Sequence, residues 1–214
     1  MQELHTSAPD QSKIDYRELL FKLVPGPAEA VISQLVEQLP YVWLDTYLAM
    51  MPRHINVVQV RHGTFDYIYD DCASLEATGV VPANAHTEAR LIAVSGRCNP
   101  QKRKRDDGRL KGWVGPTESV YGDCWDKGHF IAHSIGGAVD QAEVNIFVQR
   151  RDLNRGRSLK GRRYIEMERH CKLHAGTFCF SRPIYSDQSA RPSFIEYGIL
   201  LNGPEFWVER FDNR

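Results

Sequence analysis

Residues 125–129 read Trp125-Asp126-Lys127-Gly128-His129, and this pentapeptide is the most informative stretch of the chain. It places an acid, a cation, a glycine and a histidine side by side. A histidine near its ordinary pKa can take a proton from water at neutral pH. Two cationic segments flank the pentapeptide, and asparagines follow it whose oxygens suit a hard metal ion. Because phosphodiester hydrolysis requires these parts, a hydrolytic site is the first hypothesis.

The composition describes an ordinary globular protein. The chain has 214 residues, of which 42% are hydrophobic and 25% charged, and 27 Lys and Arg balance 27 Asp and Glu. Any attraction for a polyanion must therefore be local. Five cysteines at irregular spacing favour reduced thiols over a disulfide framework. We find no secretory leader and no membrane-length apolar run, so we expect no membrane partner and a protein that is cytoplasmic or exported without a cleavable signal.

Helical patterns precede strand patterns along the chain. Apolar residues recur at helical spacing in residues 12–51, with predicted breaks at Pro25-Gly26-Pro27 and at Pro40. Strand-like runs begin at Ile55, interrupted by one cationic helix predicted at residues 153–170. This order predicts an α+β fold with a mixed, mainly antiparallel sheet. Residues 1–53 would form an N-terminal helical segment for docking, regulation or packing, and residues 54–214 the main domain.

Two asparagines downstream of the pentapeptide, Asn145 and Asn154, are candidate metal ligands. Asparagine oxygens suit Mg²⁺, which keeps several waters and accepts few protein ligands. Either residue could instead cap a helix or a turn, and Asn154 stands just before Arg155-Gly156. The residues by themselves leave both interpretations open.

Basic residues cluster on both sides of the pentapeptide. The upstream run is Lys102–Arg105, and the downstream run covers residues 150–163. Two such runs beside a candidate base favour a polyanionic substrate over a merely solvated surface. Aromatic residues are not interleaved with them, so we expect backbone contacts with little sequence preference. The residues predicted to contact nucleic acid are Arg103, Arg105, Arg150, Arg151, Arg155, Arg157 and Arg162.

Three segments together carry a family resemblance: Asp126-Lys-Gly-His-Phe-Ile-Ala-His, Asn145-Ile-Phe-Val-Gln and Leu153-Asn-Arg-Gly. They resemble the DNA/RNA non-specific endonucleases of the ββα-metal (His-Me finger) superfamily. That family shows D-R-G-H, then N-x-x-x-Q, then L-N and a helical glutamate. The resemblance covers residues 89–207 and leaves the N-terminal helices outside. It implies an inserted ββα-metal finger, in which a β-hairpin and a helix enclose one metal ion.

The resemblance also implies a role for each matched residue. His129 resembles the general base, and Asn154 the single protein ligand of a hydrated Mg²⁺, for which Mn²⁺ can substitute. Asn145 and Gln149 match supporting positions. Glu166 matches the carboxylate that holds metal-bound water, with Glu168 as the alternative.

The remaining matches concern the charged residues of the motif. Asp126 and Lys127 belong to the catalytic motif, and Lys127 stands where the family usually has arginine. Lysine keeps the charge but lacks the planar bidentate fork. Arg103 or Arg105 resembles the upstream phosphate-binding arginine.

Three functions are compatible with these residues. The first is a Mg²⁺-dependent endonuclease that cuts DNA and also RNA, used as an antibacterial toxin or a defence effector. Its N-terminal helices would then contact an inhibitor, an effector complex or a second copy of the chain in a homodimer. The second is a nucleic-acid-binding module without catalysis. The third is a structural zinc domain. Its ligands would be Cys124, His129, His133 and one of His170, Cys171 or His174.

Overall fold

A computed structural model describes residues 12–23, 25–50, 55–71, 89–100, 122–138, 145–187, 189–201 and 205–214. The helices in these ranges are α1 (Tyr16–Lys22), α2 (Ala28–Met50), α3 (Arg151–Asn154) and α4 (Leu159–Leu173), with a 3-10 helix at His133–Ile135. The strands are β1 (Val57–His62), β2 (Phe65–Asp70), β3 (Arg90–Arg97), β4 (Trp125–His129), β5 (Ile146–Arg150), β6 (Phe178–Ile184), β7 (Phe194–Leu201) and β8 (Glu205–Asp212). No helix in the described part of the chain is long and apolar enough to span a membrane.

Six of the strands form one antiparallel sheet in the order β1-β2-β3-β6-β7-β8. The other two, β4 and β5, pair with each other as a separate antiparallel hairpin. Because β3 and β6 are neighbours in the sheet, the hairpin, α3 and α4 form an insertion between them. The predicted α+β fold with a mainly antiparallel sheet is confirmed.

The sheet is covered on both faces, and alternation along its strands assigns side chains to the two layers. On β6, Phe178 and Phe180 pack with α1 and α2. Between them, Cys179 packs with the hairpin and α4 on the opposite face. Strands β6 and β7 are therefore buried along nearly their whole length, as expected for strands between two layers.

The helix α2 continues through Pro40, so the predicted break there is wrong. Proline lacks the N–H that would bond the preceding turn, at a cost of about 3 kcal/mol. Leu35, Leu39, Trp43 and Tyr47 follow one another at four-residue spacing and are all at most 3% exposed. Their burial against the sheet outweighs that cost, at about 1.5–3 kcal/mol for each large side chain.

A buried polar network joins α1 and α2 to the sheet. Tyr16 donates its hydroxyl to Glu196 Oε2 at 2.5 Å and accepts from Trp43 Nε1 at 3.1 Å. Arg182 Nε donates to the same Glu196 oxygen at 2.8 Å. Burial raises the pKa of Tyr16, and the charge of Glu196 raises it further. The Tyr16 hydroxyl therefore remains protonated and donates. The described N-terminal helices thus share a core with the sheet, and their docking or regulatory role stays a prediction.

The predicted cationic helix at residues 153–170 is two helices, α3 and α4. Gly156 between them adopts φ +64°, a left-handed conformation that favours glycine and ends α3. Ser158 then caps α4 by accepting from the N–H of Gly161 at 2.9 Å. Because α4 has its own start after this break, the break determines which residues of α4 face the protein core.

Candidate active site

The hairpin and α3 bring the two principal candidates to one place. His129 is the last residue of β4, and Asn154 is the last residue of α3, which begins directly after β5. Pairing of β4 with β5 aligns Asp126 with Gln149, so the start of α3 lies beside the start of β4. Among the described residues, β4, β5 and α3 thus form a hairpin followed by a helix that packs beside it.

A cleft of about 330 Å³ opens between the end of the hairpin, the 3-10 helix and α4. It is lined by His129, Ala132, His133, Ser134, Gln149, Asn154, Tyr164 and Glu168. The structure thus brings together His129, Gln149 and Asn154, which the resemblance matched to the site. His133, a candidate zinc ligand, and Glu168, the alternative carboxylate, also line it, so the cleft combines imidazole, amide and carboxylate groups.

Asp126 lies beside this cleft and receives four hydrogen bonds from α3 and the turn after it. Arg155 donates twice, from Nε to Oδ2 at 2.6 Å and from Nη2 to Oδ1 at 2.8 Å. Arg151 Nε donates to Oδ1 at 3.0 Å, and Asn154 Nδ2 donates to Oδ2 at 3.2 Å. Burial acts to raise the pKa of Asp126, but hydrogen bonds from Arg155, Asn154 and Arg151 together lower it below its ordinary value. The carboxylate therefore stays ionised and holds α3 against β4.

The contact with Asp126 also fixes the orientation of the Asn154 side chain. An ionised carboxylate only accepts hydrogen bonds, so the Asn154 atom that faces Asp126 must be the Nδ2 donor. The carbonyl oxygen Oδ1 is then the polar atom that Asn154 can offer to the cleft. Asp126 is accordingly a positioning residue for Asn154.

Gly128 is required by the packing of Gln149 across the hairpin. A Cβ atom added at Gly128 would lie 2.5 Å from Gln149 Cβ and 2.8 Å from Gln149 Cδ. Such distances are far below van der Waals contact, and Gln149 is only 1% exposed and has no room to withdraw.

We expect Gly128→Ala to lower the free energy of unfolding by about 1–3 kcal/mol, the usual cost of overpacking a buried site. Chemical denaturation followed by circular dichroism measures this change. Gly26→Ala is the matched control, because a Cβ there would meet only Ala30 Cβ at an ordinary 3.5 Å. Equal stability of the two variants would contradict the packing argument.

Asn145 supports the chain segment that follows β4. Its side chain is fully buried and bonds only main-chain groups of the segment after His129. The oxygen Oδ1 accepts from Ile131 N at 2.9 Å, while Nδ2 donates to Ile131 O at 2.9 Å and to Ala138 O at 2.7 Å. Asn145 therefore holds the loop that carries His133, and it is not among the residues that line the cleft.

The two candidate carboxylates of α4 lie on different faces of the helix. Glu166 is exposed and pairs with Arg163 Nη1 at 2.9 Å, outside the cleft. Glu168 lines the cleft, so the structure places there the carboxylate that the sequence offered as the alternative. Burial, with a smaller effect of the neighbouring Cys171, raises the pKa of Glu168 to about 8.

This raised pKa predicts a pH dependence of stability. Without a bound cation, folded Glu168 keeps its proton up to about pH 8, whereas in the unfolded chain the carboxyl ionises near pH 4.3. Its stabilising contribution is therefore fully present below about pH 4 and is lost as the pH rises to about 8. Denaturation in EDTA at several pH values should show wild type losing stability relative to Glu168→Gln across this window. A constant difference would contradict the assignment.

The basic residues divide into three groups. Arg103 and Arg105 lie outside the described residues. Arg150, Arg151 and Arg155 make contacts within the protein: Arg150 Nε bonds Asp152 at 3.0 Å, and the other two hold Asp126. Arg157 and Arg162 are exposed and can reach an external polyanion.

Lys127 is half-buried and is not among the residues lining the cleft, and burial lowers its pKa.

The predicted zinc ligand set is not assembled. Cys124 is exposed in the turn before β4, while His170 and His174 stack on each other near the end of α4, with ring centroids 4.3 Å apart. Within the described ranges, the cysteines that converge are Cys98, Cys171 and Cys179. Only Cys171 of these was a candidate from the sequence, since residues so far apart in the chain show no ligand spacing.

No protein-family model and no curated protein matches this chain. Among solved structures, a match is the "Structure of Sda1 nuclease with bound zinc ion", with 14% identity, coverage of 74% of this chain and 75% of that chain, and a TM-score of 0.37.

Proposed function

We propose that the protein is a metal-dependent endonuclease that hydrolyses phosphodiester bonds in DNA and also in RNA with little sequence preference. The observation that carries the proposal is the meeting of His129, Asn154 and Glu168 in one cleft. A base, a neutral oxygen ligand and a carboxylate in one small site suit attack of water on phosphorus.

The residues of the cleft fit a hard divalent cation, and Mg²⁺ is the proposed ion with Mn²⁺ as a substitute. Asn154 would hold it through Oδ1, since its Nδ2 is bonded to Asp126. Glu168 would contribute directly or through water, and its raised pKa reflects burial that a cation would offset. When bound, the ion supplies polarisation of a phosphoryl oxygen and stabilisation of the leaving oxygen.

In this proposal, the protein residues have separate tasks. The imidazole of His129 takes the proton from the attacking water. Tyr164 donates its hydroxyl to the main-chain oxygen of His129 at 3.3 Å, which holds the end of β4 beside α4. Arg157 and Arg162 contact phosphates outside the cleft, and such contacts carry no base recognition.

The test is cleavage of supercoiled plasmid and of a structured RNA by purified protein, in Mg²⁺, in Mn²⁺ and in EDTA. We expect nicked and then linear DNA, with shortened RNA, only when a divalent cation is present. Digestion that continues unchanged in EDTA would contradict metal dependence. Salt-sensitive binding without products would instead identify a binding module without catalysis.

A matched pair of variants on α4 locates the carboxylate. Glu168→Gln should lower cleavage by about 10- to 100-fold and raise the Mg²⁺ concentration needed for half-maximal activity, as expected for a residue that supports a metal. Glu166→Gln removes a carboxylate two residues away on the exposed face and should retain most of the activity. If Glu166→Gln lost activity and Glu168→Gln retained it, Glu166 would be the carboxylate that supports the metal.

A further inference from the structure

Three cysteines from separate parts of the chain meet between the sheet and α4. Cys98 follows β3, Cys171 lies in α4, and Cys179 lies in β6. Their sulfur atoms all lie within 4.8 Å of one another, and the sulfurs of Cys98 and Cys179 are 3.4 Å apart. All three are free thiols.

The cluster is enclosed by protein. Cys98 is 2% exposed and Cys171 and Cys179 are 0% exposed, within the core shared by the sheet and the inserted finger. A single buried cysteine is commonly just a small apolar residue. Here three thiols from separate parts of the chain converge in one buried place, so the cluster is more than an isolated apolar side chain. A thiolate is the form of cysteine that binds metals.

We propose that Cys98, Cys171 and Cys179 form a binding site for one thiophilic cation with a filled d shell, Zn²⁺ or Cu(I). Thiolates are the ligands that select these ions over Mg²⁺. A metal–sulfur distance of about 2.3 Å places coordinating sulfurs about 3.8 Å apart. The three sulfur atoms here are separated by at most 4.8 Å, and one pair by 3.4 Å, so their separations suit one shared ion. Binding is not a redox step: each coordinating thiol releases its proton to solvent, and the ion takes its place.

The position of the cluster gives the metal a structural task. It would connect β3, β6 and α4, which are far apart in sequence. Glu168 stands three residues before Cys171, one turn away on α4, and reaches the cleft described above. A metal at the cysteines would therefore hold the helix that presents Glu168. The proposal does not depend on nuclease activity, because it concerns separate ligands.

The test uses the full chain, purified under reducing conditions and freed of metal, with two titration arms. The Zn²⁺ arm uses Co²⁺ as a spectroscopic probe, because bonded thiolates give intense sulfur-to-cobalt absorption in the near ultraviolet. The Cu(I) arm measures competition with a colorimetric Cu(I) chelator. We expect one equivalent to bind per chain in at least one arm, with the thiolate absorption when Co²⁺ is bound.

Two substitutions identify the ligands. Cys171→Ser should weaken binding at least 100-fold, whereas Cys124→Ser, which changes an exposed cysteine outside the cluster, should leave it unchanged. If Cys171→Ser does not fold, Cys98→Ser provides the same comparison from the end of β3. His133→Ala should keep the thiolate absorption, since His133 belongs to the cleft.

Several results would overturn the proposal. One is the absence of a thiolate band at one equivalent of Co²⁺ together with no Cu(I) retained against the chelator. Another is unchanged binding in both Cys171→Ser and Cys98→Ser. A third is a Cys98–Cys179 disulfide found by mass spectrometry in freshly purified protein, because it would remove two ligands.

Discussion

Replacement of His129 by alanine should lower phosphodiester cleavage by between about a hundred- and ten-thousand-fold, the range associated with loss of a general base. The imidazole lines the cleft beside Asn154 and Glu168 and is the proposed acceptor of the water proton. The fold should survive, because the contact from Tyr164 is made to the main-chain oxygen of His129 and remains in the variant. Initial rates on plasmid with Mg²⁺, together with a thermal melt, measure the two effects separately.

His133→Ala is the control that makes this experiment decisive. Both histidines line the same cleft, but His129 ends β4 whereas His133 begins the 3-10 helix. We expect His133→Ala to retain more activity than His129→Ala, and added imidazole to restore part of the activity of His129→Ala only. If His133→Ala is the inactive variant, the base is His133 and the assignment from the sequence motif is wrong.

The family resemblance implied a β-hairpin and a helix at the site, and β4 and β5 form such a hairpin with His129 as the last residue of β4. The sequence did not show which residues of the following helix face inward. The sequence alone did not decide whether Glu166 or Glu168 faces the cleft, because the predicted helix at 153–170 was not anchored to a capping residue. Ser158 caps the start of α4, and Tyr164, Met167 and Cys171 then share its buried face, next to Glu168. Their spacing of three and four residues was visible in the sequence.

Long-range contacts account for what the sequence could not show. Nothing local indicates that Arg151 and Arg155 turn back to Asp126 across 25 residues or more. The convergence of Cys98, Cys171 and Cys179 likewise depends on how the sheet and α4 pack. Pro40 illustrates the opposite error, in which a reliable local rule was overridden by burial of the helix on the sheet. In each case, packing between segments that are distant in the sequence determined the structure, and a single sequence does not show that packing directly.

Removal of the Asp126 carboxylate should affect both stability and activity. In Asp126→Ala, Arg151 loses its acceptor for Nε, and Asn154 and Arg155 lose theirs. We expect a loss of about 2–3 kcal/mol in the free energy of unfolding, below the value for a fully buried pair because Arg155 is 46% exposed. Cleavage should fall by about 10- to 100-fold, since the Asn154 amide is no longer oriented. Denaturation curves and initial rates measure the two losses.

Asp152→Ala is the matched control for this change. It removes a carboxylate from α3 itself. Asp152 and its partner Arg150 are both about 40% exposed. Such surface pairs usually contribute ~0–1 kcal/mol to the free energy of unfolding, so we expect a small loss. The two variants should also differ with pH. Because the pKa of Asp126 is lowered in the folded state, its stabilisation is present above about pH 4 and is lost as the pH falls through the folded pKa. Asp126→Ala should lack that acid-induced loss. If Asp126→Ala and Asp152→Ala behaved alike, Asp126 would be a surface charge and Asn154 would owe its orientation to something else.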